Sequence, residues 1–153
     1  MKILMVCMGN ICRSPMAEGI MRHKAENAGL NWFIDSAGTG GWHSGEPPDH
    51  RAVKKMQHYN LNIANLRARQ IKLTDLKAFD LIYVMDMHNY NELKRLAMNN
   101  PTLLNKVKLI LNEVKPGKNL PVPDPYYGGD DGFETVYQLL QEACNVIVQK
   151  YGE

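Results

Sequence analysis

An apolar run that stops at a cysteine-bearing loop and restarts at a proline constrains this chain more than any other feature. Lys2-Ile3-Leu4-Met5-Val6 reads as a buried strand. Cys7-Met8-Gly9-Asn10-Ile11-Cys12-Arg13-Ser14 follows as a short loop. Pro15 suits the first turn of a helix, where its missing N–H costs nothing, and Met16-Ala17-Glu18 carry that helix on. A cysteine therefore sits where a strand ends and a helix begins. Backbone N–H groups and the positive helix end converge there, which makes an anion site. A thiol in such a field is driven toward thiolate. Nucleophile and oxyanion cradle would come from the same few residues, an arrangement suited to attack on a phosphate ester.

The rest of the chain repeats the alternation. Met16 to Ala28 reads as a helix with Met16, Ile20, Met21 and Lys24 along one side, ended by Gly29. Trp32-Phe33-Ile34 is a second short strand, and Asp35 to Gly41 is a loop by composition. Pro47-Pro48-Asp49 opens a helix through Ala52, Val53, Met56 and Tyr59, and Thr74-Asp75-Leu76 opens a short one. Leu81 to Met85 is a third strand, followed by Asp86 and a helix from about Asn89 to Met98. Val107 to Ile110 is a fourth strand, and Pro121 to Gly132 a turn-rich loop. Phe133 to Tyr151 closes the chain as a helix with Val136, Leu139, Leu140, Cys144, Ile147 and Val148 on its apolar side. Strands alternating with helices predict an α/β fold with right-handed parallel crossovers. Ligands in such sheets bind beyond the carboxyl ends of the strands. The Cys7 loop, the Ser36 loop and Asp86 all follow strands and are expected on that edge.

At 153 residues the chain predicts one domain, residues 1–153. A hydrophobic fraction of 44% and a charged fraction of 22% are globular values. A net charge of +2 is too near neutral to point to nucleic acid or a membrane. Three cysteines argue against a disulfide framework and suit a reducing cytoplasm. No apolar run approaches spanning length, and the one at the start is too short for a signal-peptide core. The five histidines show no ligand spacing, so no metal is expected. The basic stretch Arg67 to Lys72 reads as a solvated face rather than a docking site.

The spacing C-x5-R from Cys7 to Arg13 has a physical reason. A loop of that length can curl around a tetrahedral phosphate with its amides inward, and Arg13 can return to grip two oxygens with its planar fork. Gly9 allows close backbone approach, and Asn10 tolerates a left-handed conformation. The Ser14 hydroxyl can donate to the thiolate. The alternative is an inert buried cysteine in a strand-to-helix turn. Asp124 lies in Pro123-Asp124-Pro125-Tyr126-Tyr127-Gly128-Gly129. The alkoxide or phenoxide leaving group needs a proton, and a carboxylic acid beside a thiolate is biased toward its protonated form. Prolines on both sides stiffen the loop. The alternative is a plain surface turn, but two adjacent tyrosines could wall a pocket for an aromatic leaving group.

Together these residues resemble the low-molecular-weight protein tyrosine phosphatase family, over essentially the whole chain. The resemblance rests on Val6 to Pro15, on Asp35-Ser36-Ala37-Gly38-Thr39, on Ala68-Arg69-Gln70 with Phe79-Asp80, on Met85-Asp86, and on Asp124-Pro125-Tyr126-Tyr127. It implies a three-layer fold: a four-stranded parallel sheet flanked by helices, with the phosphate-binding loop after the first strand. It implies hydrolysis of phosphotyrosine in proteins, and of small aryl phosphates, through a cysteinyl-phosphate, with no metal or other cofactor. Cys7 is then the nucleophile, Arg13 the phosphate clamp, and Asp124 the general acid and later base. Met8, Gly9, Asn10, Ile11, Cys12 and Ser14 form the phosphate loop, which Asn10, Ser14 and Ser36 hold in shape. Tyr126 and Tyr127 wall the pocket. Cys12 matches the second loop cysteine, which in the family can pair with the nucleophile under oxidation; its alternative is a small buried thiol. The resemblance puts a residue near Trp42, which precedes His43, on the pocket rim; Trp42 either covers a substrate ring or packs under its loop. The implied partners are phosphotyrosine proteins and a cognate tyrosine kinase, with the chain a monomer or weakly self-associating. Leu66 stands at about the place where many members carry a histidine supporting the loop. Either the supporting bonds are rearranged or the alignment slips by a residue.

Three rivals share the motif. A thiol-dependent arsenate reductase needs two further relay cysteines, and only Cys144 lies outside the loop. Protein-arginine phosphatases tend to carry threonine where Ile11 stands; a branched apolar residue suits a flat phenyl ring better than a guanidinium. A binding module without activity is opposed by the intact Cys7, Arg13 and Asp124.

Overall fold

The computed structural model describes residues 1–152. Four strands form one parallel sheet: β1 (Lys2–Cys7), β2 (Phe33–Gly38), β3 (Leu81–Val84) and β4 (Val107–Leu109), in the spatial order β2-β1-β3-β4. The helices are α1 (Arg13–Asn27), α2 (His50–His58), α3 (Leu73–Ala78), α4 (Met87–Leu96), α5 (Pro101–Leu104) and α6 (Asp130–Tyr151), with a 3₁₀ turn over Ile110–Glu113. β1 pairs on both sides, Ile3 with Ile34 of β2 and with Leu81 of β3. A strand paired and covered on both faces must be apolar throughout, and Ile3, Leu4, Met5 and Val6 have no exposed surface.

The pleat splits these residues between two cores. Ile3, Met5 and Cys7 join Met16 and Ile20 of α1 and Val136, Leu140 and Ile147 of α6. Leu4 and Val6 join Leu76 of α3 and Leu93 of α4 on the other face. The result is a sheet between two helical layers, each buried aliphatic side chain contributing about 1.5–3 kcal/mol. Among the described residues no helix is long and apolar enough to cross a membrane.

Several boundaries differ from the sequence expectation. Asp35 to Gly38 is strand, not loop, because these residues pair with Leu4 to Cys7; Trp32 lies outside the strand. Backbone pairing there overrides a composition that reads as a turn. The first helix begins at Arg13, which puts Pro15 in its first turn. Asp86 caps α4, its carboxylate accepting from Asn89 N at 2.8 Å, so that helix starts at Met87. Ile110 leaves the sheet for the 3₁₀ turn, and α6 begins three residues early at Asp130. The short α5, capped by Asn100 with Pro101 at its start, was not expected. Arg67 to Lys72 is not a plain solvated face. Arg69 is clamped between Asp35 (3.0 Å) and Asp75 (2.9 Å), and Gln70 bridges to Gly38, the last residue of β2.

Candidate active site

Cys7 is the last residue of the inner strand β1, so the loop after it emerges at the carboxyl edge of the sheet. Asn10 takes the left-handed conformation (φ 59°) that turns the loop back toward α1. Its side chain is fully committed. Oδ1 accepts from the Arg69 amide at 3.0 Å, while Nδ2 donates to Ser14 Oγ at 2.7 Å and to Ser36 Oγ at 3.0 Å. The Arg69 N–H can only donate, which fixes which end of the Asn10 amide faces it. Ser14 Oγ, accepting from Asn10, has its own proton free for Cys7 Sγ, 3.0 Å away. Ser36 Oγ donates to Glu18 Oε1 at 2.6 Å. Glu18 is buried; burial pushes its carboxyl up from the ordinary range, Ser36 and Arg22 pull back without overcoming this, and Asp35 adds to the rise.

Arg13, the first residue of α1, is buried and faces the same cleft. Its Nη1 donates to Asp86 Oδ2 at 2.7 Å and to the Val122 carbonyl at 3.0 Å. These bonds tie down one edge of the guanidinium and leave the Nε–Nη2 edge for an anion. Burial works against the Arg13 charge, but Cys7, Asp86 and Asp124 outweigh it and hold its pKa above the ordinary guanidinium value. Asp124 Oδ2 lies 3.7 Å from Arg13 Nη2, and its Oδ1 accepts from the Tyr126 amide at 3.0 Å. Burial, followed by the charges of Asp49 and Cys7, pushes the Cys12 thiol far above its usual range, so it remains protonated.

These residues enclose a cleft of about 180 Å³ lined by Cys7, Met8, Gly9, Ile11, Cys12, Arg13, His43, Asp124, Tyr126 and Tyr127. The floor holds thiol and guanidinium, one wall holds a carboxylate, and the rim is aromatic. Such a site can bind a tetrahedral anion, attack it and protonate what leaves. Among the described residues no group of three or more His, Cys, Asp or Glu side chains could hold a metal ion. A family model for low molecular weight phosphotyrosine protein phosphatase matches residues 2–153. This chain belongs to that phosphatase family.

The human low molecular weight phosphotyrosine protein phosphatase is 41% identical over 150 residues, covering 97% of this chain and 94% of the human one. A solved protein tyrosine phosphatase from Entamoeba histolytica, with Hepes in its active site, matches with a TM-score of 0.92 at 36% identity, covering 99% of this chain and 97% of its own. The solved arginine phosphatase from Drosophila matches with a TM-score of 0.92 at 34% identity, covering 100% of this chain and 99% of its own.

In this member of the low molecular weight phosphatase family Trp42 is not among the residues that line the cleft. The residue is 71% exposed and its ring lies over Gly40, where any side chain would collide with it. His43 takes the rim instead, its ring over Gly9 and its Nδ1 3.2 Å from Glu46. Asn10, Ser14 and Ser36 stand behind the loop rather than in the cleft. Leu66 packs against the main core, and the charged partner of Glu18 is Arg22, which also donates to the Ile34 carbonyl at 2.7 Å. Sequence reasoning gave no role to Glu18 or Arg51, and it placed Asp86 on the binding edge and Asp49 at a helix start without naming their partners. For Asp86 the signal was its place directly after a strand; for Asp49, its place as the capping residue before a helix.

Proposed function

We propose that this protein is a cysteine-dependent phosphatase that hydrolyses phosphotyrosine in proteins through a cysteinyl-phosphate. The observation that carries this reading is the shared cleft of Cys7, Arg13 and Asp124 beneath two tyrosines. The Cys7 thiolate attacks phosphorus while the Nε–Nη2 edge of Arg13 and the loop amides hold the non-bridging oxygens. The bond from phosphorus to the tyrosine oxygen breaks, and Asp124 gives its proton to that oxygen. Asp124, now a carboxylate, takes a proton from water as the water attacks the cysteinyl-phosphate. The sulfur leaves as thiolate, steadied by the Ser14 proton, and inorganic phosphate departs. Tyr126 and Tyr127 flank the substrate ring. No metal or organic cofactor enters these steps. Substrates are phosphotyrosine proteins made by a tyrosine kinase, and a catalytic thiol with two further free cysteines suits the cytoplasm.

The likeness to the Drosophila arginine phosphatase favours phosphoarginine as a second reading. Against it, Ile11 presents a branched apolar side chain to the cleft, and the paired tyrosines suit a flat ring. The deciding assay measures p-nitrophenyl phosphate, a phosphotyrosine peptide and a phosphoarginine peptide, without metal and with reductant, beside Cys7→Ser. Phosphotyrosine turnover that Cys7→Ser abolishes, with phosphate binding retained, is expected. Turnover in that variant would remove Cys7 as nucleophile, and a preference for phosphoarginine would reverse the substrate assignment.

A further inference from the structure

A strap of hydrogen bonds ties the loop bearing Asp124 to the loop bearing Cys7, and its central residue takes no part in the chemistry above. It begins at the Ile11 carbonyl in the phosphate loop, which accepts from the Asp49 amide at 2.8 Å. Asp49 caps α2 and holds Arg51 in a fork: Oδ1 accepts from Arg51 Nε at 3.0 Å, and Oδ2 from Nη2 at 2.9 Å. The Arg51 amide adds a third bond to Oδ1 at 2.9 Å. The far side of the same guanidinium donates to the Tyr126 carbonyl at 2.9 Å and to the Gly128 carbonyl at 3.4 Å. It also lies over the rings of Tyr126, at 5.5 Å, and Phe133, at 4.9 Å. The Tyr126 amide then completes the path by donating to Asp124 Oδ1 at 3.0 Å.

Each link removes a freedom that the acid would otherwise have. Asp124 lies in an exposed loop, where its backbone has few neighbours to fix it. Arg51 grips the two carbonyls on either side of Tyr127, and Asp49 holds the guanidinium plane so that it cannot swing with the loop. With Oδ1 occupied by the Tyr126 amide, Oδ2 is the oxygen turned toward Arg13 and free to carry the proton. A general acid misplaced by about an ångström loses much of its effect.

We infer that Arg51 is the positioning residue of the general acid, the link through which α2 and the phosphate loop set the place of Asp124. It acts through the loop backbone and touches neither thiol nor phosphate. The inference rests on the reading of Asp124 as the acid. The guanidinium fork is required, because a lysine offers no plane that can serve Asp49 and two carbonyls at once.

The test compares kcat/KM, which reports the first chemical step, for phenyl phosphate and 2,4-dinitrophenyl phosphate. The first leaving group needs a proton and the second does not. Arg51→Gln is expected to lose about tenfold more on phenyl phosphate than on the dinitrophenyl ester, a fraction of the 10²–10⁴ that a general acid supplies. Combined with Asp124→Asn, it should add less than about twofold further selectivity, because both residues act through one group; independent effects would multiply to within about twofold. Equal loss on both esters, or a double variant whose selectivity multiplies, would overturn the role of Arg51. If Asp124→Asn alone shows no leaving-group selectivity, the acid assignment itself fails. Asp49→Asn is the second variant, since asparagine still caps α2 but loosens the fork. It should show the same selectivity if Arg51→Gln does not fold, and its absence there would count equally against the strap.

Discussion

Arg13 is bound on one edge by Asp86 and the Val122 carbonyl, which presets the other edge before any anion arrives. Lysine has no second edge to preset. Arg13→Lys is expected to lower kcat/KM by about 10²–10³-fold, the size of one lost oxyanion contact; steady-state kinetics on p-nitrophenyl phosphate measures it, and a loss under threefold would contradict the geometry. Cys12 differs from its neighbour in kind. Burial and the nearby charges keep it a thiol, so it is a poor target for oxidants by itself. Once peroxide turns Cys7 into a sulfenic acid, the Cys12 thiol can condense with it, forming the disulfide and releasing water. Cys12→Ser should therefore reduce the fraction of activity that a reductant restores after peroxide. Full recovery in that variant would leave Cys12 as a packing residue only.

At the scale of elements, α2 is held to α6 by a polar clamp beside the site. Buried Lys55 donates to Asp130 and Glu134, both at 3.2 Å, while Tyr59 and Gln138 also donate to Glu134. The Tyr59 and Tyr137 rings stack at 3.6 Å. Hydrogen bonds from Gln138 and Tyr59, then Lys55, outweigh burial and hold the Glu134 carboxyl down to about 2. Its folded pKa lies below the ordinary 4.5, so the stabilisation is complete above about pH 4.5 and drains away as pH falls toward 2. Melting temperatures from pH 6 down to pH 2.5 should fall more steeply in the wild type than in Glu134→Gln; parallel curves would show that the clamp contributes nothing. The elements legible in the sequence were those specified locally. The run from Ile3 to Val6, the loop and Pro15 announce β1 and α1, and the prolines beside Asp124 single it out. The second half of β2 was hidden because only its pairing with β1 makes it strand. The partners of Arg51 and Asp86 were hidden because they lie 75 and 73 residues away in the chain. Nothing local marked Glu18, because its partner Ser36 lies 18 residues on in another element.

Across the whole molecule, the strand order places β2 on one side of β1 and β3 on the other, so the crevice opens between the loops that follow β1 and β3. Cys7 and Asp86 stand on its two lips. Because the cradle exists only in the folded chain, an anion bound there stabilises the whole fold. At a hundredfold excess over Kd, phosphate is expected to add about 2.7 kcal/mol, or roughly 5–11 °C in melting temperature for a chain of this length. Calorimetry with and without phosphate measures the shift, and Cys7→Ser should keep it; no shift in either protein would mean that the loop is not an anion cradle. Between the 3₁₀ turn and Val122 the chain runs through the exposed stretch 115–121. Everything before it carries the thiol, the clamp and the Asp49–Arg51 end of the strap; everything after it carries Val122, Asp124 and the helix that fills the larger core with Phe133, Val136, Leu140 and Ile147. A single peptide bond cut there would leave two fragments, one with Cys7, the proposed nucleophile, and one with Asp124, its proposed proton donor, and on that proposal neither could complete a turnover alone. Catalysis by such a pair would then be a direct signal that the two fragments had found each other.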